Sequence, residues 1–168
     1  MTIIETARLR LTVFSEKDAE GFFNMNNNPE VLRYTGDLPF ENIEAAKAFI
    51  LSYDHYQKYG YGRWTIRRKS DNVYLGFCGL KYHSDMQEVD LGYRLDRKYW
   101  GKGYATEAAR VCLDYGFKIL KIDRIIGRSE IKNKASIHIL EKIGMQFLKE
   151  FDFDGQLGVI YEKNNFKT

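Results

Sequence analysis

Gln87-Glu-Val-Asp-Leu-Gly-Tyr-Arg-Leu-Asp-Arg-Lys-Tyr-Trp-Gly-Lys-Gly-Tyr-Ala-Thr-Glu-Ala-Ala-Arg-Val-Cys-Leu-Asp-Tyr115 is the stretch on which the fold turns. Its first nine residues alternate. Val89, Leu91, Tyr93 and Leu95 stand against Glu88, Asp90, Gly92 and Arg94, the period of a strand with one polar face. A turn follows over Asp96–Gly103, and from Tyr104 to about Ile119 the residues Ala105, Ala108, Ala109, Cys112 and Ile119 recur at helical spacing. The first amides of a helix have no intrahelical partner and point outward, with the positive end of the dipole behind them. Gly101 and Gly103 carry no Cβ to hold a ligand off the backbone, and Lys102 adds a full charge. Strand, Gly-Lys-Gly and helix therefore predict an anion cradle, most readily for phosphate.

Two familiar phosphate ligands fit this cradle poorly. A nucleotide P-loop places Ser or Thr after its lysine to hold magnesium, whereas Gly103 follows Lys102. A dinucleotide fingerprint wants a small third residue where Thr106 stands, although Asp123 lies at about the spacing of a ribose ligand. That reading stays open, against the alternation of the preceding strand, since a strand buried on both faces is nearly all apolar.

Asp90-Leu-Gly-Tyr-Arg-Leu95 followed by Tyr99-Trp-Gly-Lys-Gly-Tyr-Ala-Thr-Glu-Ala108 resembles the acyl-CoA motif of the GNAT superfamily of N-acetyltransferases, and more narrowly its RimJ/RimL-like branch. Glu5–Leu11, Gly76–Leu80 and Asn133–Met145 agree with it, in the family's order and across almost the whole chain. The resemblance implies acetyl-CoA as cosubstrate and no metal. Backbone groups of Tyr93, Arg94 and Leu95 would pair with the pantetheine arm, amides of Trp100, Gly101, Lys102, Gly103, Tyr104 and Ala105 would receive the pyrophosphate, and Asn133 would bond the pantetheine.

Acetyl transfer to an amine needs a base for the amine proton, donors for the carbonyl oxygen and a proton for the leaving thiolate. Glu88 and Asp90 are the candidate bases. Two residues apart on a strand, they share a face, and they read equally as solvated surface carboxylates. Some relatives carry a tyrosine acid where this chain has Leu140, and some a glutamate base where it has Arg128. Ser136, one turn after Asn133, is the remaining candidate donor to sulfur, with first-turn hydrogen bonding as the plainer role. Glu107 reads as structural, complementing the helix dipole. His83 lies after a strand near the cleft, whereas His55 and His138 fall on helices; none has metal-ligand spacing.

The rest of the chain reads as one α/β domain over 1–168, a mixed, largely antiparallel sheet with one parallel crossover and flanking helices. Expected in order are a strand over Ala7–Phe14, a helix capped by Ser15, a short helix after Pro29 and a long helix over Glu41–Tyr59 ended by Gly60. Strands follow at Gly62–Arg68, Val73–Tyr82 and Gln87–Leu95, then the cradle helix and a strand at Asp123–Ser129. A helix from Asn133 to Ile143 and a hairpin of Gln146–Phe153 with Leu157–Lys163 complete it, leaving Asn164–Thr168 as a frayed tail. The acceptor side falls to Asn24–Asp37, the second long helix and the final hairpin, the stretches the motifs describe least.

A net charge of +3 is too small to argue for nucleic acid, and no apolar run approaches a membrane span. Cys78 and Cys112 show no metal or redox spacing and fit buried thiols, so a cytoplasmic protein is expected. The frequent aromatics leave a homodimer open. The function expected is acetyl transfer from acetyl-CoA to a primary amine, at a protein N-terminus or on a small molecule, by direct attack in a ternary complex. The alternative is a catalytically silent CoA-binding regulatory or interaction module.

Overall fold

The structure is a computed structural model and describes residues 1–166. Eight strands form one sheet: β1 (Thr2–Glu5), β2 (Leu9–Thr12), β3 (Arg63–Arg68), β4 (Tyr74–His83), β5 (Glu88–Leu95), β6 (Arg124–Glu130), β7 (Gln146–Phe153) and β8 (Gln156–Asn164). Their spatial order is β1-β2-β3-β4-β5-β6-β8-β7. Every neighbouring pair is antiparallel except β5 and β6, which are joined through a helix and run parallel. This is the expected mixed, largely antiparallel sheet.

Helices cover both faces. Along β4, Cys78 belongs to the cluster under α5 (Tyr104–Lys118), and its neighbour Phe77 packs with α1 (Ala19–Met25) and α3 (Ile43–Ser52). Successive strand residues point to opposite faces, so the two helical layers lie on opposite sides of the sheet. On α5 the buried stripe runs through Ala108, Ala109, Cys112, Leu113 and Phe117. Ile119, expected in that stripe, falls past the helix end and is 63% exposed. Trp64 and Cys78 are core, the indole standing edge-on to Tyr115 with ring centres 5.4 Å apart.

Four expectations are corrected. The chain opens with a strand that the reading from Ala7 missed: β1 is only four residues and pairs with β2 around a bulge. The long helix over Glu41–Tyr59 is two, α3 and α4 (His55–Tyr59), because Tyr53 is extended at ψ 109°. What outweighs helical continuity is the bonding that the break allows. Tyr53 Oη accepts the Arg63 amide at 2.8 Å, and Tyr56 Oη donates to the Arg63 carbonyl and accepts the Phe14 amide. His55 is buried between strand ends, its Nδ1 at the Tyr61 carbonyl and its Nε2 accepting the Tyr82 amide, so it is a structural histidine. The tail is not frayed at its start: Asn164 ends β8, and Asn165 Nδ2 donates to the carbonyls of Phe117 and Ile122. Residues 167–168 of that expected tail lie outside the described residues. Finally, the polar face of β5 is not solvated, since Asp90 is 5% exposed.

The capping box expected at Ser15 forms, and its acid does more than cap. Asp18 is buried, pairs with Arg67 of β3, and accepts the Thr65 hydroxyl at 2.7 Å and the Ser15 amide at 2.9 Å. It joins the α1 layer to the sheet. Asp18→Ala strands the Arg67 guanidinium, and we expect a loss of about 3 kcal/mol in urea denaturation; a change below about 0.5 kcal/mol would count against this role.

Candidate functional site

β5 and β6 pair only at Val89↔Ile125 and Asp90↔Ile126. Beyond that point β5 stays on β4 as far as Leu95↔Gly76, and β6 stays on β8 as far as Glu130↔Gly158. The two strands part, and the peptide groups that β5 turns away from β4 after Asp90 face a wedge instead of a partner strand. This is the opening implied for Tyr93, Arg94 and Leu95.

The cradle lies above the wedge. Gly101 and Gly103 have φ of 77° and 81°, left-handed values that an L side chain adopts only under strain. Among the described residues, no hydrogen bond reaches the amides from Gly101 to Thr106. Trp100, included in the expected set, uses its amide on the Arg97 carbonyl at 3.3 Å, so the free run begins at Gly101. Lys102 lies outside the cavity lining, and its carbonyl accepts from Arg8 Nη1. Arg8 also bonds Glu107 Oε1 at 2.7 Å and covers the Tyr104 ring. Burial alone would raise the Glu107 carboxyl, but the Thr6 hydroxyl and Arg8 hold it below the usual range. Glu107 is thus the brace that ties the cradle helix to the β1–β2 turn, in keeping with a structural role.

Two cavities meet at the wedge. One, of about 670 Å³, is lined by Tyr93, Arg94 and Leu95, by Trp100, Gly101, Gly103, Tyr104 and Ala105, and by the start of α6 (Lys134–Lys142). The other, of about 740 Å³, lies on the α1–α3 face. Its walls come from the Asn26–Asp37 segment, α3 and the β7–β8 turn, the three stretches expected on the acceptor side. Tyr93, Arg94, Asn133 and Ser136 line both cavities and mark where they join. Asn133 caps α6, its Oδ1 accepting the Ser136 amide at 3.2 Å. The Tyr93 hydroxyl donates to the Ser136 carbonyl at 2.8 Å and lies 3.1 Å from Ser136 Oγ. Burial pushes the Tyr93 phenol up, so it keeps its proton at neutral pH. Leu140 is buried against Gly127 and brings no hydroxyl to the junction.

The two expected bases separate. Glu88 pairs with Arg124 at 2.6 Å and lines neither cavity. Asp90 lines the second cavity at the centre of a charged cluster: His83 Nε2 lies 3.0 Å from its Oδ2, with Arg128 Nη2 at 3.4 Å and Arg63 Nη2 at 3.5 Å. Burial raises its carboxyl, but the His83 bond and the two guanidiniums outweigh that and leave it below the ordinary value. A carboxylate so held is a weak proton acceptor. With Nε2–H donating to Asp90, His83 keeps a lone pair on Nδ1, and His83 lines the same cavity. The sequence places His83 near the cleft without giving it a role and does not bring Arg63 to the site. The one signal available was that His83 and Asp90 flank a short turn between consecutive strands.

Among the described residues, no cluster of His, Cys, Asp or Glu is arranged to hold a metal, and no helix is long and apolar enough to cross a membrane. Two opposed cavities that share a junction at a strand wedge, with free helix amides at one mouth, can hold a phosphate-bearing donor and an acceptor at once. The model of the acetyltransferase (GNAT) domain matches residues 8–146. The chain is 32% identical to an uncharacterized N-acetyltransferase, YoaA, of Bacillus subtilis (strain 168), over 96% of this chain and 93% of that one. It superposes on a GNAT-family acetyltransferase from Bacillus anthracis with TM-score 0.85 at 26% identity, covering 98% and 99% of the two chains. It shares its fold with spermidine N-acetyltransferase from Vibrio cholerae in complex with CoA and spermine, with TM-score 0.79 at 20% identity over 95% and 97%. The wedge, the cradle and these likenesses agree: the chain belongs to the GNAT family and is an N-acetyltransferase.

Proposed function

We propose that the protein is a single domain over 1–168 that moves the acetyl group of acetyl-CoA to a primary amine, by direct attack in a ternary complex. The observation that carries this reading is the junction of the two cavities at Tyr93, Asn133 and Ser136. The residues present fit the cosubstrate. The unbonded amides from Gly101 to Ala105 suit a diphosphate, the open edge of β5 at Tyr93, Arg94 and Leu95 suits the two amides of a pantetheine arm, and Asn133 has side-chain donors left for it. When bound, the thioester supplies an activated acyl carbon.

The chain's own residues do the rest. His83, oriented by Asp90, takes the amine proton through water as the N–C bond forms. A backbone N–H near Tyr93 donates to the carbonyl oxygen as it gains charge. The C–S bond breaks, and the linked hydroxyls of Ser136 and Tyr93 stand at the junction to return a proton to the thiolate. Holding both reactants in register is the larger contribution, since effective molarities reach about 10⁵ M or more. The acceptor is a small amine or a protein N-terminus, the latter on the RimJ/RimL-like resemblance. The two buried, unpaired cysteines fit a reducing cytoplasm.

The test is release of free thiol from acetyl-CoA with a panel of peptides, amino acids and polyamines. We expect turnover with at least one primary amine. Tight CoA binding without thiol release across the panel would instead favour a silent CoA-binding module.

A further inference from the structure

Two residues beyond the last β5–β6 pair, the register sets Gly92 and Arg128 on either side of the opening wedge, and both line the second cavity. Three guanidiniums lie around it. Those of Arg63 and Arg94 are engaged: Arg63 Nη1 donates to the carbonyls of Gly79 and Asp90, and Arg94 donates to Asn26 Oδ1 and Asp37 Oδ2. Gly92 leaves room for the first of them, since a Cβ there would come within 2.5 Å of Arg63 Nη2.

Arg128 differs. Its Nη2 makes only long contacts, 3.4 Å to Asp90 and 3.3 Å to His83, its Nε is buried with no partner, and among the described residues nothing accepts from its Nη1. A guanidinium has five N–H donors in a planar fork, and a buried N–H such as that of Nε is costly without an acceptor. The ring centres of Phe151 and Phe153 lie 5.9 and 6.0 Å from its Cζ, and Arg128 lines the cavity.

Resting on the acyl-transfer reading, we infer that Arg128 receives a carboxylate carried by the acceptor, so that the acceptor is an α-amino acid with an apolar side chain. Charge agrees. At the inner end two guanidiniums, Arg63 and Arg128, face the single carboxylate of Asp90. The remaining wall is aromatic, Phe14, Phe22, Phe40, Phe49, Tyr53 and Phe77, and suits an apolar side chain. A carboxylate on Arg128 also brings the neighbouring amine close to His83, 3.3 Å from that guanidinium.

The experiment compares L-phenylalanine, phenylalaninamide and phenethylamine as acceptors of acetyl-CoA, with spermidine and short peptides alongside. These three aromatic amines differ only in the carboxyl group. Phenylalanine is expected to exceed the other two in kcat/KM by about 10- to 100-fold, the range for a charge-assisted hydrogen bond. Arg128→Gln is expected to erase that preference mainly through KM, and Arg128→Lys to restore it in part. The comparison on the unmodified protein needs no variant to fold. Equal efficiency with phenylalaninamide or phenethylamine overturns the inference and leaves acyl transfer standing, as does a preference that survives Arg128→Gln. Thiol release by none of the amines overturns both.

Discussion

Gly103→Val is expected to weaken CoA binding by at least about 100-fold while the protein stays folded, the loss corresponding to two or more charge-assisted hydrogen bonds. Gly103 is the last residue before α5, at φ 81°, where the backbone turns its neighbours' amides outward. A branched side chain there occupies the space a diphosphate would fill and pushes the residue toward negative φ, which rotates the amides of Gly101 to Ala105 away from one another. The side chain also meets Arg8 Nη2, 3.4 Å from the ideal Cβ, and so disturbs the guanidinium that braces the turn. Strain at a left-handed residue costs about 1–2 kcal/mol whatever the ligand, so the control must share it. Gly60 is such a control: it ends α4 at φ 79°, has nothing within 4 Å of its Cβ position and lines neither cavity. Gly60→Val is expected to show a similar stability loss in urea denaturation with unchanged CoA titration by calorimetry. A folded Gly103→Val that binds CoA like the parent would remove the cradle from the argument.

The cradle could be read in the sequence because everything it needs is local: two glycines, a strand before and a helix after, all within about thirty residues. The wedge was half legible. The crossover from Leu95 to Asp123 announced a parallel pair, but where the pair opens depends on how far β6 is held by β8, a contact with residues about thirty positions away. The charged cluster was not legible. Alternation along β5 assigned Asp90 to a polar face, and a polar face ordinarily meets water. Here that face is roofed by the α1–α3 layer and lines a cavity, and Arg63, His83 and Arg128 arrive from three different strands. Their meeting depends on the registers that set Arg63 opposite Gly79, Gly79 opposite Gly92 and Asp90 opposite Ile126. No periodicity along one strand encodes that. The broken helix at Tyr53 has a similar cause: apolar spacing ran on through Glu41–Tyr59, and the hydrogen bonds to β3 that favour the break are tertiary.

Asp90→Asn is expected to cost about 3–5 kcal/mol of stability, because it leaves the Arg63 and Arg128 guanidiniums facing each other without a counter-charge. The loss has a defined pH range. The Asp90 carboxyl is held below its ordinary value in the fold, so its contribution is complete above the unfolded carboxyl value of about 3.9 and is lost as pH falls through the lower folded value. Stability of the parent should therefore fall more steeply below about pH 4 than that of the variant. The same sign governs catalysis. Asp90 is ionised across the whole neutral range, so an acid limb in kcat/KM near neutrality cannot be its titration. His83 is bonded to Asp90 inside the acceptor cavity and keeps a lone pair for the amine proton. His83→Gln is expected to lower kcat/KM by about 10²- to 10³-fold. Asp90→Asn, measured where it remains folded, should lower kcat/KM by less than His83→Gln, since it removes the group that orients the imidazole and not the one that takes the proton. An unchanged kcat/KM in His83→Gln would make the cluster structural and pass the base to another carboxylate lining the cavity, Glu130 or Asp154.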